Sequence, residues 1–387
     1  MEHDLPAHDL PAQSGCLYWD WNATTPPHPE VLEAMRVASE QAWANPSSQH
    51  QLGRAARARI ERVRELLAAC VAVHPRDVLF AGSGTEANNL ALRDAGAVVA
   101  SRIDHPSVVR VAEQIEASGR PVRWLPVPPD GRLQPDAVQA ALVSLPPELR
   151  GQTVVALTLA NHETGVIQDL AGVLGRVRSQ GARLHVDAAQ ALGKLELSGL
   201  GEADSYTLVA HKIRGPQGIA ALAWRGRAPS PVLLGGSQER GLRPGTTSAA
   251  LVAGFGAALE RIDIARHAAL RPLRDALEQA LGPDVSINGG GAPRLAHVSN
   301  FSAPGWSGER LVAALDVRGV CVSTGSACRV GTAEPSAAVA AMLGAERAKA
   351  AVRVSLGEAT GRAQLDAGLA VLLPLLRRHG TGPSCGG

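Results

Sequence analysis

Val78-Leu79-Phe80-Ala81-Gly82-Ser83-Gly84-Thr85-Glu86-Ala87-Asn88-Asn89-Leu90-Ala91-Leu92 reads as a strand, a glycine-rich turn and the opening of a helix. Its first four residues are all apolar, the pattern of a strand covered on both faces. The turn leaves backbone N–H groups at a helix N-terminus, where the dipole favours an anion, and the Ser83 and Thr85 hydroxyls add donors. A phosphate dianion suits such a cradle. Glycines at a strand-to-helix turn serve plain turn chemistry equally well, so this stretch decides the fold before it decides a ligand.

The same alternation continues on either side. Ala97 to Ala100, Val122 to Val127, Val154 to Ala160, Leu184 to Val186 and Tyr206 to Val209 read as further strands. Pro29 to Gln41, Arg54 to Val73 and Leu170 to Gln180 carry helical spacing. Strand and helix in alternation give an α/β fold, a mostly parallel seven-stranded-type sheet flanked by helices. Past about Gly256 the pattern becomes one long helical stretch, Ala257 to Leu281. Strand-like runs around His297 to Phe301 and Gly319 to Ser323 follow, then two helices, which reads as a smaller α+β domain. The expected organisation is a mobile arm at 1–16, a large cofactor-binding domain at 17–258, the small domain at 259–379 and a disordered glycine-rich tail at 380–387. The arm repeats His-Asp-Leu-Pro-Ala at 3–7 and 8–12, too short and proline-rich to pack.

With 38 basic against 36 acidic residues and a formal charge of +2, nothing argues for nucleic acid. Aromatics make up 3% of the chain, which leaves few platforms for stacking bases. No apolar run is long enough for a membrane span, and the N-terminal stretch is acidic rather than basic then apolar, so a cytoplasmic protein is expected. The five cysteines, at 16, 70, 321, 328 and 385, form neither a disulfide framework nor close metal-binding pairs, and no metal site is expected. Cys70 and Cys321 read as buried small hydrophobes, and Cys385 as an incidental thiol in the tail.

Leu184-His185-Val186-Asp187-Ala188-Ala189-Gln190 ends an apolar strand on a carboxylate, at the rim where α/β sheets bind ligands. A carboxylate there can keep a pyridinium nitrogen protonated; it can equally cap the turn that follows. Thr207-Leu208-Val209-Ala210-His211-Lys212-Ile213-Arg214-Gly215-Pro216 carries a lysine from a buried strand into a Gly-Pro turn. Between apolar residues and cations such an amine loses basicity and becomes a Schiff-base nucleophile, whereas a solvated lysine at a turn is the ordinary alternative. Phosphate turn, acid and lysine in that order are more specific together than any one alone.

With these segments in place, the sequence resembles the cysteine desulfurases, fold-type I pyridoxal-phosphate enzymes related to class V aminotransferases. The resemblance runs from about Leu17 to Leu373. It includes Tyr18 to Pro26, Asn45-Pro46-Ser47-Ser48, Asp104-His105-Pro106, Glu163-Thr164-Gly165, Gln238-Glu239-Arg240-Gly241, Gly325-Ser326-Ala327-Cys328 and Arg353 to Gly357. It implies that Lys212 holds pyridoxal 5'-phosphate covalently, that Asp187 pairs with the pyridine nitrogen, and that His105 stacks on the ring and serves catalysis. Gln190 would reach the phenolic oxygen. Gly84, Thr85 and His211 would hold the phosphate, with Thr246 reaching it from the neighbouring subunit of a homodimer. Asn22 and Arg353 would contact L-cysteine, Arg353 clamping its carboxylate. Cys328, among glycines and beside Arg329, would take the sulfur as a persulfide for an acceptor protein or small-molecule pathway, leaving alanine.

Two positions depart from the family pattern. Asn161-His162-Glu163 stands where Asn-Asn-Glu is usual, which places the His162 imidazole near the cofactor in place of an amide. Val209 stands where serine usually precedes the lysine by three residues, so one phosphate hydrogen bond is expected to be missing unless Thr207 supplies it. The other readings are a selenocysteine or C–S lyase of the same class, and a degenerate sulfur-carrier scaffold without cofactor.

Overall fold

The computed structural model describes residues 15–197, 202–325 and 335–379. The arm through residue 14, the tail from 380 with Cys385, and the 326–334 segment with Cys328 lie outside the described residues. The chain divides into two compact units, one of residues 25–161 and 167–264 and one that takes 162–166 and the described residues of 15–24 and 265–379.

The first unit is built on a seven-stranded sheet: β1 (Val78–Ala81), β2 (Ala97–Ser101), β3 (Val122–Leu125), β4 (Thr153–Thr158), β5 (Arg183–Asp187), β6 (Ser205–Val209) and β7 (Ala220–Trp224). The order across the sheet is β1-β7-β6-β5-β4-β2-β3. Only β7 runs against its neighbours; β2 to β6 pair in parallel. β1, β2 and β4 are buried at every position, as the apolar runs that make up all of β1 and most of β2 and β4 demand. β7 went unread because Ala220-Ala221-Leu222-Ala223 carries little intrinsic strand preference; its place between two strands, not its composition, makes it one.

Flanking helices include α1 (Pro29–Gln41), α2 (Gln51–Cys70), α3 (Gly84–Leu92) and α4 (Pro106–Ala117). α2 begins earlier than its apolar spacing indicates because the His50 ring accepts the Gly53 N–H, and it has stopped before Ala72, which turns to φ 51°. The single helix expected over Ala257 to Leu281 is instead three: Ala249–Glu260, Ile264–Ala268 and Arg271–Leu281. Pro272 enforces the last break, since it lacks the N–H that a helix interior needs and its ring crowds the preceding turn, so it sits in a first turn.

The second unit holds a three-stranded antiparallel sheet in the order Ala351–Ser355, Val298–Ser302, Ser286–Ile287. Leu17–Tyr18 pairs in parallel with Val320–Cys321. A helix at Gly308–Asp316, absent from the sequence reading, lies between the two expected strands. Trp19, Phe301, Leu311, Val352 and Leu365 form the centre of its core. Trp19 packs so closely on the C-terminal helix that a Cβ at Gly368 would clash with its ring.

Candidate active site

Because β1, β2, β5 and β6 point the same way, their C-terminal ends share one edge of the sheet. That edge carries Ser83 to Thr85 after β1, Asp104-His105 after β2, Asp187 at the end of β5 and His211-Lys212 after β6. Open parallel sheets bind ligands at this edge. Asp187 lies opposite Thr158 of β4 and Thr207 of β6, and Lys212 sits half-buried in the short turn Ala210–Lys212 that follows β6.

Asp187 both serves its own turn and joins a buried network. One carboxylate oxygen accepts the Ala189 N–H at 3.0 Å and the other accepts the Asn88 amide at 2.8 Å. Asn88, on α3, uses all of its side-chain capacity. Its Nδ2 donates to Asp187 and to Ser107 Oγ at 2.8 Å, and its Oδ1 accepts from the Thr207 hydroxyl at 2.6 Å and from His185 Nε2 at 3.0 Å. This accounting fixes the protons. Ser107 Oγ accepts from Asn88, so its hydrogen goes to His105 Nδ1, 2.7 Å away, which also takes the Ser107 backbone N–H. His105 therefore carries its ring proton on Nε2. His185 likewise donates from Nε2, and its Nδ1 accepts the Ser205 hydroxyl at 2.8 Å. Sequence reading named Asp187 and His105 but missed the amide that joins them.

Thr25 clamps the Lys212 turn. Its N–H and hydroxyl donate to the His211 carbonyl at 3.0 and 2.8 Å, and the same hydroxyl accepts the Arg214 N–H at 2.8 Å. Arg214 adopts φ 65°, strain that the surrounding contacts must hold beside the lysine. Burial, with the charges of Lys212 and Lys194 added, pushes the His211 imidazole down to about 4. Gln190 is buried, and its Oε1 accepts from Lys194 Nζ at 2.8 Å.

Ser83 caps α3 by accepting the Glu86 N–H at 3.1 Å, while the Glu86 carboxylate takes the Gly82 N–H at 2.7 Å. The N–H groups of Gly84 and Thr85 are in the first turn, where a helix offers no internal acceptor. Gly84 must be glycine: a Cβ there would lie 2.9 Å from Val209 Cγ2. Val209 thus brings β6 against the helix start but adds no donor, and the Thr207 hydroxyl is committed to Asn88. Thr207 therefore has no hydroxyl hydrogen left to supply the donor that Val209 lacks. Helix N-terminal N–H groups, a buried carboxylate, a histidine held neutral and two neighbouring lysines fit a ring nitrogen, a phenolic oxygen and a phosphate on one molecule. The chemistry of the donor set fits pyridoxal phosphate.

Thr246 is exposed and lines a cavity of about 440 Å³ together with Asn45, Arg57, Arg64 and Arg240; among the described residues no other candidate site residue lines it.

In the second unit, Arg353 is 2% exposed, so it is no surface charge. Its Nη1 donates to the His162 carbonyl at 2.9 Å and its Nη2 to Asp20 at 2.5 Å. Asn22 shares the His162 carbonyl at 3.1 Å, while its Oδ1 accepts from His297 Nε2 at 2.7 Å. His297 Nδ1 in turn takes its hydrogen from His267, 2.8 Å away. The His162 ring lies 3.5 Å from the Glu163 carboxylate. Burial pushes Glu163 up, but His162, the Ser336 hydroxyl and Arg353 outweigh it and hold the carboxyl below its ordinary range. That carboxylate touches both flanks of the segment carrying Cys328, accepting from Ser336 and leaving 2.8 Å to a Cβ at Gly325. Cys70 and Cys321 are partly rather than fully buried, and burial raises both thiols.

Acid should loosen the first unit in a defined window. Burial pushes His185 and His211 down to about 4, so between pH 6.5 and 4 the unfolded chain binds protons that the folded chain refuses, and stability falls as pH falls. Asp104, which accepts the Ser101 and Thr158 N–H groups, opposes this, since burial raises it to about 6 and its protonation favours the fold. Two groups against one leave a net loss of about 3 kcal/mol from pH 7 to 4. Denaturant unfolding of the cofactor-free protein across that range checks it; a flat profile contradicts neutral burial of both imidazoles.

Residues 17–367 match the family described as Aminotransferase class-V. A cysteine desulfurase of Cereibacter sphaeroides is 38% identical, with 93% of this chain and 95% of the relative covered. A selenocysteine lyase of Bos taurus is 34% identical, with 93% of each covered. Among solved structures, a NifS-like protein from Rickettsia africae superposes with a TM-score of 0.84 at 28% identity, covering 94% of this chain and 99% of that one. A family match over nearly the whole length, with relatives above 30% identity along it, means that the chain belongs to the aminotransferase class-V family, in company with the cysteine desulfurases.

Proposed function

We infer that the protein is a pyridoxal-phosphate-dependent cysteine desulfurase that converts L-cysteine to L-alanine and passes the sulfur on through Cys328. The observation that carries this reading is the placement of Asp187 and Lys212 at the ends of adjacent parallel strands beside the α3 N-terminus. Lys212 would bind the cofactor covalently and Asp187, steadied by Asn88, would hold its ring nitrogen protonated. His105, with its proton on Nε2, would face the ring, and Gln190 would donate to the phenolic oxygen. The N–H groups of Gly84 and Thr85, with His211, would take the phosphate. Bound there, pyridoxal phosphate supplies an electron sink for the substrate carbanion.

Lys212 would remove the Cα proton and return it. Arg353 would take the substrate carboxylate, with Asn22 and His162 setting its position through the shared carbonyl. The Cys328 thiolate would attack the substrate sulfur, so that an S–S bond forms, the Cβ–S bond breaks, and its electron pair stays on the carbon that becomes the methyl of alanine after protonation. Excess thiol then releases sulfide and becomes a disulfide. Thr246, which is exposed, fits donation to the phosphate of a second copy in a homodimer. The reduced-thiol chemistry points to the cytoplasm, where an acceptor would take the persulfide.

Incubation with L-cysteine and a thiol reductant should yield alanine and sulfide in equal amounts, and Cys328→Ala should yield neither. A Cys328→Ala protein that keeps turning over would instead support the lyase reading suggested by the Bos taurus relative.

The Val209 position adds a quantitative expectation. A serine hydroxyl there would add one charge-assisted hydrogen bond, so Val209→Ser should tighten cofactor retention by about tenfold. Dialysis against buffer and loss of colour measure it, and equal retention in both proteins removes the argument.

A further inference from the structure

We propose that Lys194 is a positioning residue for the cofactor site, its buried ammonium fixing the Gln190 amide so that Nε2, rather than Oε1, is presented to the phenolic oxygen of the ring. This rests on the reading of the site as one for pyridoxal phosphate.

An ammonium can only donate. With Lys194 Nζ 2.8 Å from Gln190 Oε1, a flipped amide would set NH2 against NH3+, so the orientation of the amide follows from chemistry. The chain delivers this pair by local geometry. The Ala191 and Leu192 N–H groups donate to the Ala188 carbonyl and Lys194 N–H to Ala191, so residues 190 and 194 fall on one side of successive turns. Gly193 then takes φ 72°, and a Cβ there would lie 2.9 Å from Ile213 Cγ2, so only glycine lets this turn close against the residue after Lys212. Lys194 is 8% exposed. The titratable group its charge reaches in the opposing turn is His211, which it helps to keep neutral, and Lys212 is the next residue along that turn. A pinned donor stabilises the deprotonated phenolic oxygen, and a nearby cation disfavours a proton on the nitrogen of Lys212. Both effects act in one direction.

The test uses the holoprotein and follows the visible absorption of the bound cofactor against pH. Lys194→Met should raise the spectral midpoint by about one pH unit, the scale of one neighbouring charge with its hydrogen bond. Lys194→Arg should restore it to within a few tenths. In a Gln190→Met background, Lys194→Met should shift the midpoint by less than half as much, because the amide it orients is gone. Gln190→Glu keeps a partner for Lys194 but removes the donor, and should also raise the midpoint; this variant decides the matter should Lys194→Met not fold. An unchanged midpoint in coloured Lys194→Met or Gln190→Glu overturns the proposal, as does the full shift in the Gln190→Met background. A wild-type chain that takes up no pyridoxal phosphate overturns the site reading, and this inference with it.

Discussion

Replacing Lys212 with alanine is expected to lower turnover of L-cysteine by about 10³-fold or more, because in the proposed function one amine both holds the cofactor and moves the Cα proton. The fold should survive the change. Thr25 clamps the turn through the His211 carbonyl and the Arg214 N–H, and neither contact involves the lysine side chain. Lys212→Arg should be as inactive as Lys212→Ala, since a guanidinium keeps its proton at any working pH and serves neither as nucleophile nor as base. Saturating turnover, measured with the far-ultraviolet spectrum as a check on folding, separates loss of chemistry from loss of structure. A Lys212→Ala protein within tenfold of wild type would remove the lysine from the mechanism.

What was legible in the sequence was what local pattern encodes. Val78 to Ala81 and Tyr206 to Val209 are recognisable because a strand buried on both faces leaves an unbroken apolar run, and Asp187 and Lys212 stand out because polar groups end such runs. β7 was missed because alanines become a strand only between two neighbours. The long helix read at Ala257 to Leu281 failed at Pro272, a breaker that the apolar spacing conceals. Within the site, the residues that touch a ligand are announced by motif, whereas those that hold them are not. Asn88 looks like any polar residue on a helix, and its partners lie 19, 97, 99 and 119 residues away. Lys194 likewise reads as a surface lysine until Gly193 folds it inward. Cys328, the residue on which the proposed reaction turns, is read from its motif and lies outside the described residues.

The Asn88 network leads to the largest expected effect on stability. Asn88→Ala should destabilise the protein by about 3–5 kcal/mol, because the buried Thr207 hydroxyl and His185 N–H lose their acceptor and Asp187 loses a donor, each costing about 1–3 kcal/mol less any relaxation. Asn88→Asp is the sharper probe, since it keeps the shape and both acceptor functions. It replaces the amide 2.8 Å from Asp187 with a second carboxylate in a buried site, where the two cannot both ionise. One must keep a proton, so this variant should be less stable at pH 8 than at pH 5.5, the reverse of the acid-labile slope that His185 and His211 impose on the wild type. Denaturant unfolding at the two pH values measures the sign. If Asn88→Asp followed the wild-type slope, the added carboxylate would not be facing Asp187, and the network that holds this acid would be wrongly drawn.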